Sequence, residues 1–76
     1  MPPLPTLRGR ELVKVLEGFG WIVARQQGSH IIMIKEGHIA SLAIPAHKEV
    51  AKGTLRSLIR SAGLTVQEFV SACEKT

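Results

Sequence analysis

The chain has no aspartate, no tyrosine, a single cysteine and only three aromatic residues, Phe19, Trp21 and Phe69. Each shortage closes off a class of function. One cysteine leaves no internal disulfide, and the helical spacing of Cys73 with Val66, Phe69 and Val70 reads as a buried thiol rather than a nucleophile. Without aspartate, and with no CxxC or HxxxH spacing, His30, His38 and His47 make a poor metal site, so neither a metal nor another cofactor is expected. The aromatics each fit a core, which leaves none for the stacking platforms of single-strand-binding proteins. No apolar run approaches the ~20 residues of a membrane span. Met1-Pro2-Pro3-Leu4-Pro5-Thr6 lacks a charged start and an apolar stretch, so a signal peptide is not expected and the expected location is the cytoplasm.

What is present fits one small domain over residues 1–76, with a proline-punctuated and loose segment at 1–6. A chain of this size buries only roughly 60% of its unfolded surface, which leaves little room for a deep pocket. The net charge is +4 and the isoelectric point about 9.9. A basic balance raises affinity for polyanions without saying which.

Leu12, Val15, Leu16 and Phe19 recur at the spacing of an amphipathic helix over about 8–18, stopped by Gly18 and Gly20. Arg8 stands where a capping Ser or Thr is usual, so a ragged helix start is expected. Strands are expected at 21–27, 31–35 and 39–44, with Glu36-Gly37-His38 as a hairpin-type turn and Pro45 as a terminator. A second helix is expected over about 54–62, with Thr54 as N-cap, Leu55, Leu58, Ile59 and Ala62 as its apolar stripe and Gly63 just past its end. Thr65-Val66-Gln67-Glu68 is a capping-box pattern opening a short last helix. The order α-β-β-β-α, with a C-terminal helix added, is an α+β layer solution: a three-stranded antiparallel sheet with helices on one face. Ile31-Ile32-Met33-Ile34 sends apolar side chains to both faces of the sheet, and helices cover only one. The other face is either simply apolar or covered by a partner.

Gly28-Ser29-His30 sits at a turn into the second strand. A turn glycine frees the backbone, and His30 then projects from the start of a stiff element. Histidine is the side chain whose unperturbed pKa suits both base and acid chemistry near neutral pH. Taken alone, the triplet also fits an ordinary loop. His38 reads as a plain surface residue, and His47 as structural or solvent-exposed. Lys52, Arg56 and Arg60 repeat every four residues on one helical face, with Lys48 just before and Arg25 and Lys35 on strands. They form either a solvated face or a phosphate cradle.

An ordered set of motifs decides between these readings. Gly9-Arg10-Glu11-Leu12, Gly18-Phe19-Gly20-Trp21, Gln27-Gly28-Ser29-His30, Ile44-Pro45-Ala46-His47, Lys52-Gly53-Thr54-Leu55-Arg56 and Ser61-Ala62-Gly63-Leu64, followed by Glu68-Phe69, span about residues 7–70. Together they resemble the HicA toxin family, the mRNA-cleaving halves of bacterial and archaeal toxin–antitoxin pairs. The resemblance implies a double-stranded-RNA-binding-domain-like fold and a ribosome-independent, metal-independent endoribonuclease, an mRNA interferase. It makes His30 the single active-site histidine and implies neutralisation by a HicB-type antitoxin. It also gives His47, within a P-x-H element, a supporting or RNA-contacting role. Ser29, Arg25, Lys35, His47, Lys48, Lys52 and Arg56 are then the substrate-binding candidates. The general acid stays unassigned. Two alternatives remain open: a non-catalytic RNA-binding module of the double-stranded-RNA-binding type, and a protein-interaction domain whose charge is incidental.

Overall fold

A computed structural model describes residues 4–75. The elements run α1 (Gly9–Glu17), β1 (Ile22–Gln27), β2 (His30–Ile34), β3 (Leu42–Pro45), α2 (Lys52–Ser61) and α3 (Val66–Lys75). The strands form one antiparallel sheet in the order β1-β2-β3. The α+β arrangement expected from the sequence is the one observed.

The core is built by periodicity. Leu12, Val15 and Leu16 of α1 are buried against Ile31 and Met33 of β2, Leu42 and Ile44 of β3, Leu55 and Ile59 of α2 and Phe69 of α3. A fully buried side chain of this size contributes about 1.5–3 kcal/mol. Phe69 is fully buried, so α3 is anchored rather than appended. Its start is held by the expected capping box: Thr65 N–H donates to Glu68 Oε1 at 2.9 Å, and Glu68 N–H donates to Thr65 Oγ1 at 3.1 Å. Gly63 takes φ +78°, as expected past the end of α2. Cys73 is only half-buried, not fully as expected. Partial burial and the neighbouring Glu74 still push its thiol pKa up.

Several expectations yield to tertiary structure. The third strand starts at Leu42, not Ile39, and includes Pro45. β2 ends at Ile34 and pairs Met33 with Leu42, so residues 39–41 join the loop and Ile39 is fully exposed. Local β propensity at Ile39 had no ladder to join. Pro45 is tolerated because Ala46 N–H bonds Ser29 O at 2.7 Å. That rung leaves the His30–Pro45 pair between bonded rungs, where the missing proline N–H is not needed. α2 starts at Lys52 with Ala51 as N-cap, so Thr54 lies inside the first turn and caps nothing. Trp21 precedes β1 and is buried in the core rather than strand-borne. His38 is not a plain surface residue: it is half-buried, its ring 5.0 Å from that of Trp21 at a tilt of 54°.

The start of α1 is not ragged either. Glu11 accepts the Arg8 N–H at 2.8 Å, so the reciprocal half of a capping box replaces the absent Ser or Thr. Gly9 N–H donates to Lys48 O at 3.2 Å, the backbones of Arg8 and Glu49 form an isolated antiparallel β-bridge, and Val50 N–H donates to Leu7 O at 2.8 Å. The N-terminal segment is tied as well. Lys52 Nζ donates to Leu4 O at 3.0 Å and to Thr6 Oγ1 at 3.2 Å. Residues 1–3 of the segment expected to be loose lie outside the described residues.

Gly9 is where α1 meets the end of β3. A Cβ at this position would stand 1.8 Å from Pro45 O and 2.8 Å from Pro45 C. Both are backbone atoms and cannot swing aside. Gly9→Ala is expected to lower stability by about 1–3 kcal/mol through overpacking, read as a lower urea midpoint at unchanged m-value. A midpoint equal to wild type would show that the contact is not tight.

Candidate functional site

Gln27 pairs with His30 across the two-residue turn Gly28-Ser29. Gly28 takes φ +58°, a left-handed conformation that glycine adopts without strain, and no side chain or backbone lies within 4 Å of where its Cβ would be. Gln26 Nε2 donates to Gly28 O at 3.2 Å and steadies the turn. His30 is therefore the first residue of β2, flanked by Gln27 on one side and Pro45 on the other, and exposed.

Strand alternation decides which way it faces. Ile31 and Met33 belong to the core under the helices, so His30, Ile32 and Ile34 point to the opposite, helix-free face. Cross-strand partners share that face: Gln27 and Pro45 beside His30, Arg25 and Ala43 beside Ile32, and Ile22 beside Ile34. A bulge between Val23 and Arg25 puts an extra residue in β1 and brings Arg25 opposite Ile32. The face is thus graded. One end is apolar, with Ile22 57% and Ile34 42% exposed; Ile32 in the middle is only 8% exposed; the other end carries Arg25, Gln27 and His30.

The remaining candidates sort by distance along these elements. Ser29 adjoins His30, and its carbonyl holds Ala46. His47 and Lys48 follow directly in the loop after β3, both exposed. Arg25 is diagonal to His30 across the β1–β2 pair. Lys35 lies at the opposite end of β2, roughly 16 Å along a strand from His30, with its side chain against Gly20. Lys52 spends its ammonium on Leu4 and Thr6. Arg56 and Arg60 are exposed on α2, an element separate from the hairpin. The cluster at the hairpin is therefore Ser29, His30, His47, Lys48 and Arg25, with Gln27 added.

Sequence reasoning missed Gln27, although a two-residue turn obliges residues 27 and 30 to pair. It placed Gly9 in a motif at the start of the first helix but missed its close approach to Pro45, which depends on tertiary packing. Among the described residues, no group of three His, Cys, Asp or Glu could hold a metal ion. No helix is long and apolar enough to cross a membrane, among the described residues. A groove of about 630 Å³ between α1 and α3 is lined by Lys14, Phe19, Glu68 and Ser71 among others and shares no residue with the hairpin cluster.

Residues 9–64 match the family described as HicA toxin of bacterial toxin-antitoxin. The comparison with curated proteins gives no match. Among solved structures, a chain of a toxin-antitoxin complex from Streptococcus pneumoniae is 43% identical and superposes with a TM-score of 0.65. The similarity covers 72% of this chain and 93% of that one. The matched span runs from the start of α1 through the hairpin to the end of α2, and α3 lies beyond it. On the family match over residues 9–64 and on that identity, this chain belongs to the HicA toxin family.

Proposed function

We propose that this toxin acts as a metal-independent endoribonuclease on mRNA, with His30 as general base. The observation that carries this reading is the hairpin: a glycine turn sets an exposed histidine at the head of a paired strand, within the family-matched span. RNA carries its own nucleophile, the 2′-OH. The protein has only to take the 2′ proton, stabilise charge on phosphorus and let the 5′-oxygen leave. A well-placed histidine supplies about 10²–10⁴-fold as general base. Arg25 and Lys48, on either side of the hairpin, supply positive charge where the phosphate would sit. The products are a 2′,3′-cyclic phosphate and a 5′-hydroxyl.

A HicB-type antitoxin is the proposed partner. The 43%-identical neighbour comes from a toxin-antitoxin complex. The apolar end of the helix-free face, Ile22 and Ile34, offers a surface at the far end of the same face from His30 that a partner would cover. A non-catalytic RNA-binding module would leave the exposed histidine on its glycine turn without a use.

The test is cleavage of a long mRNA by purified protein in excess EDTA. Unchanged cleavage leaving 2′,3′-cyclic phosphate ends is expected. Loss of activity that returns with Mg²⁺ or Mn²⁺ would replace this mechanism with a metal-dependent one. In RNA-binding titrations, Arg25→Ala and Lys48→Ala are each expected to weaken affinity and to lower the salt slope by about 1. An unchanged slope in either variant assigns that side chain to the solvated surface.

A further inference from the structure

The ladder that presents His30 does not stop at the end of β3. Ala46 N–H donates to Ser29 O at 2.7 Å, one rung beyond the His30–Pro45 pair. The two-residue alternation of burial continues as well: Ile44 and Ala46 are buried, while Pro45 is half-buried and His47 exposed. His47 is exposed in the bend that follows, two residues past the direct cross-strand partner of His30. Diagonal neighbours in a regular antiparallel pair lie about 7–8 Å apart, and His47 stands directly after such a pair. The loop that carries His47 is fixed from its other side. Lys48 O accepts the Gly9 N–H, the backbone of Glu49 forms a β-bridge with that of Arg8, and Val50 N–H bonds Leu7 O.

In-line phosphoryl transfer places the attacking and leaving oxygens on opposite sides of phosphorus. One group must take a proton on the first side, and another must give one on the second. A single imidazole within hydrogen-bond reach of one oxygen cannot reach both at once. Two rings at diagonal cross-strand spacing can flank one phosphodiester. We infer that His47 is the general acid that completes the site. This rests on the endoribonuclease reading above and deepens it.

The step balances without a further reactant. Neutral His30 takes the proton of the 2′-OH as the 2′-oxygen bonds to phosphorus. The P–O5′ bond breaks, and protonated His47 gives its proton to the departing 5′-oxygen. Both rings are exposed, so solvent restores their starting protonation. His38 is not a candidate, because it packs on Trp21 in the loop beyond the far end of β2. Lys48 serves as fixed positive charge beside the phosphate.

The experiment compares two oligoribonucleotides, one with the ordinary 5′-oxygen leaving group and one with sulfur in its place, which departs without being protonated. His47→Ala is expected to cleave the oxygen substrate about 10²–10⁴-fold more slowly than wild type. On the sulfur substrate it should come within about tenfold of wild type, since a thiolate leaving group removes the need for the acid. His30→Ala should be slow on both. The kcat/KM profile of wild type on the oxygen substrate should be bell-shaped, and His47→Ala should lose the alkaline fall. Melting temperatures are compared for each variant, and His47→Asn replaces His47→Ala if the alanine variant melts lower. Equal slowing of the His47 variant on both substrates, or no slowing on either, overturns the inference while leaving His30 in place. Rescue of His30→Ala by sulfur instead reverses the two roles and overturns it also. Full activity of His30→Ala on both substrates removes His30 from the mechanism and overturns the inference with it, and failure of wild type to cleave either substrate removes the endoribonuclease reading itself.

Discussion

A helix can begin directly against the end of a strand only if no side chain projects between them. Gly9 meets that condition, and its missing Cβ would otherwise stand 1.8 Å from Pro45 O. Three backbone connections close around this contact: Gly9 to Lys48, Val50 to Leu7, and Ala46 to Ser29. The first two fasten the loop after β3 to the start of α1. The third fastens it to the hairpin turn. His30 is therefore held in a backbone framework that reaches through β3 to the first helix, rather than on a free hairpin tip. A side chain on so small a protein needs this bracing if it is to meet a phosphodiester at a fixed distance.

Those features that depend on nearby residues were legible in the sequence. The spacing of Leu12, Val15 and Leu16 marked the buried face of α1, and all three are buried. Thr65 and Glu68 form the capping box that their spacing announced. Gly63 and Gly28 both take positive φ where a helix end and a tight turn require it. Other features depend on what a segment meets in space. Ile39 has the propensity of a strand residue but no paired neighbour, because β2 has already ended. Thr54 could cap a helix, yet α2 is already under way when the chain reaches it. Lys52 is part of a regular basic row in the sequence, while in the fold its ammonium ties down Leu4 and Thr6. For the candidate site, the position of His30 at a turn was legible. Arg25, Ser29, His47 and Lys48 were among the candidates too, but which candidates lie near His30 was not legible: Arg25 is set diagonal to His30 by a β-bulge, while Lys35 lies at the other end of β2 and Lys52 is held by Leu4 and Thr6.

The two faces of the sheet divide the work. One face, with Ile31, Met33, Leu42 and Ile44, carries the core and makes the domain fold. The other is free of helices and runs from apolar Ile22 and Ile34 to His30 and its polar neighbours. The proposed function asks two things of one small surface: to act on a polyanion and to be silenced by a protein. A graded face suits both. On that proposal its basic end would attract phosphate, and its apolar end would give a protein partner area to bury. Within this design α3 adds Phe69 to the core without touching the graded face.

The proposal that His30 carries the chemistry is tested most directly by comparing His30→Ala with His38→Ala, reading RNA cleavage rate beside thermal melting. His38 packs on Trp21 in the loop after β2, so its loss can affect stability but not proton transfer at the hairpin. His30 is exposed and is absent from the buried core, so its replacement should leave melting near that of wild type. The predicted result is a rate lower by about 10²–10⁴-fold for His30→Ala at unchanged melting temperature, and a wild-type rate for folded His38→Ala. A His30→Ala protein that melts normally and cleaves RNA at the wild-type rate would contradict it.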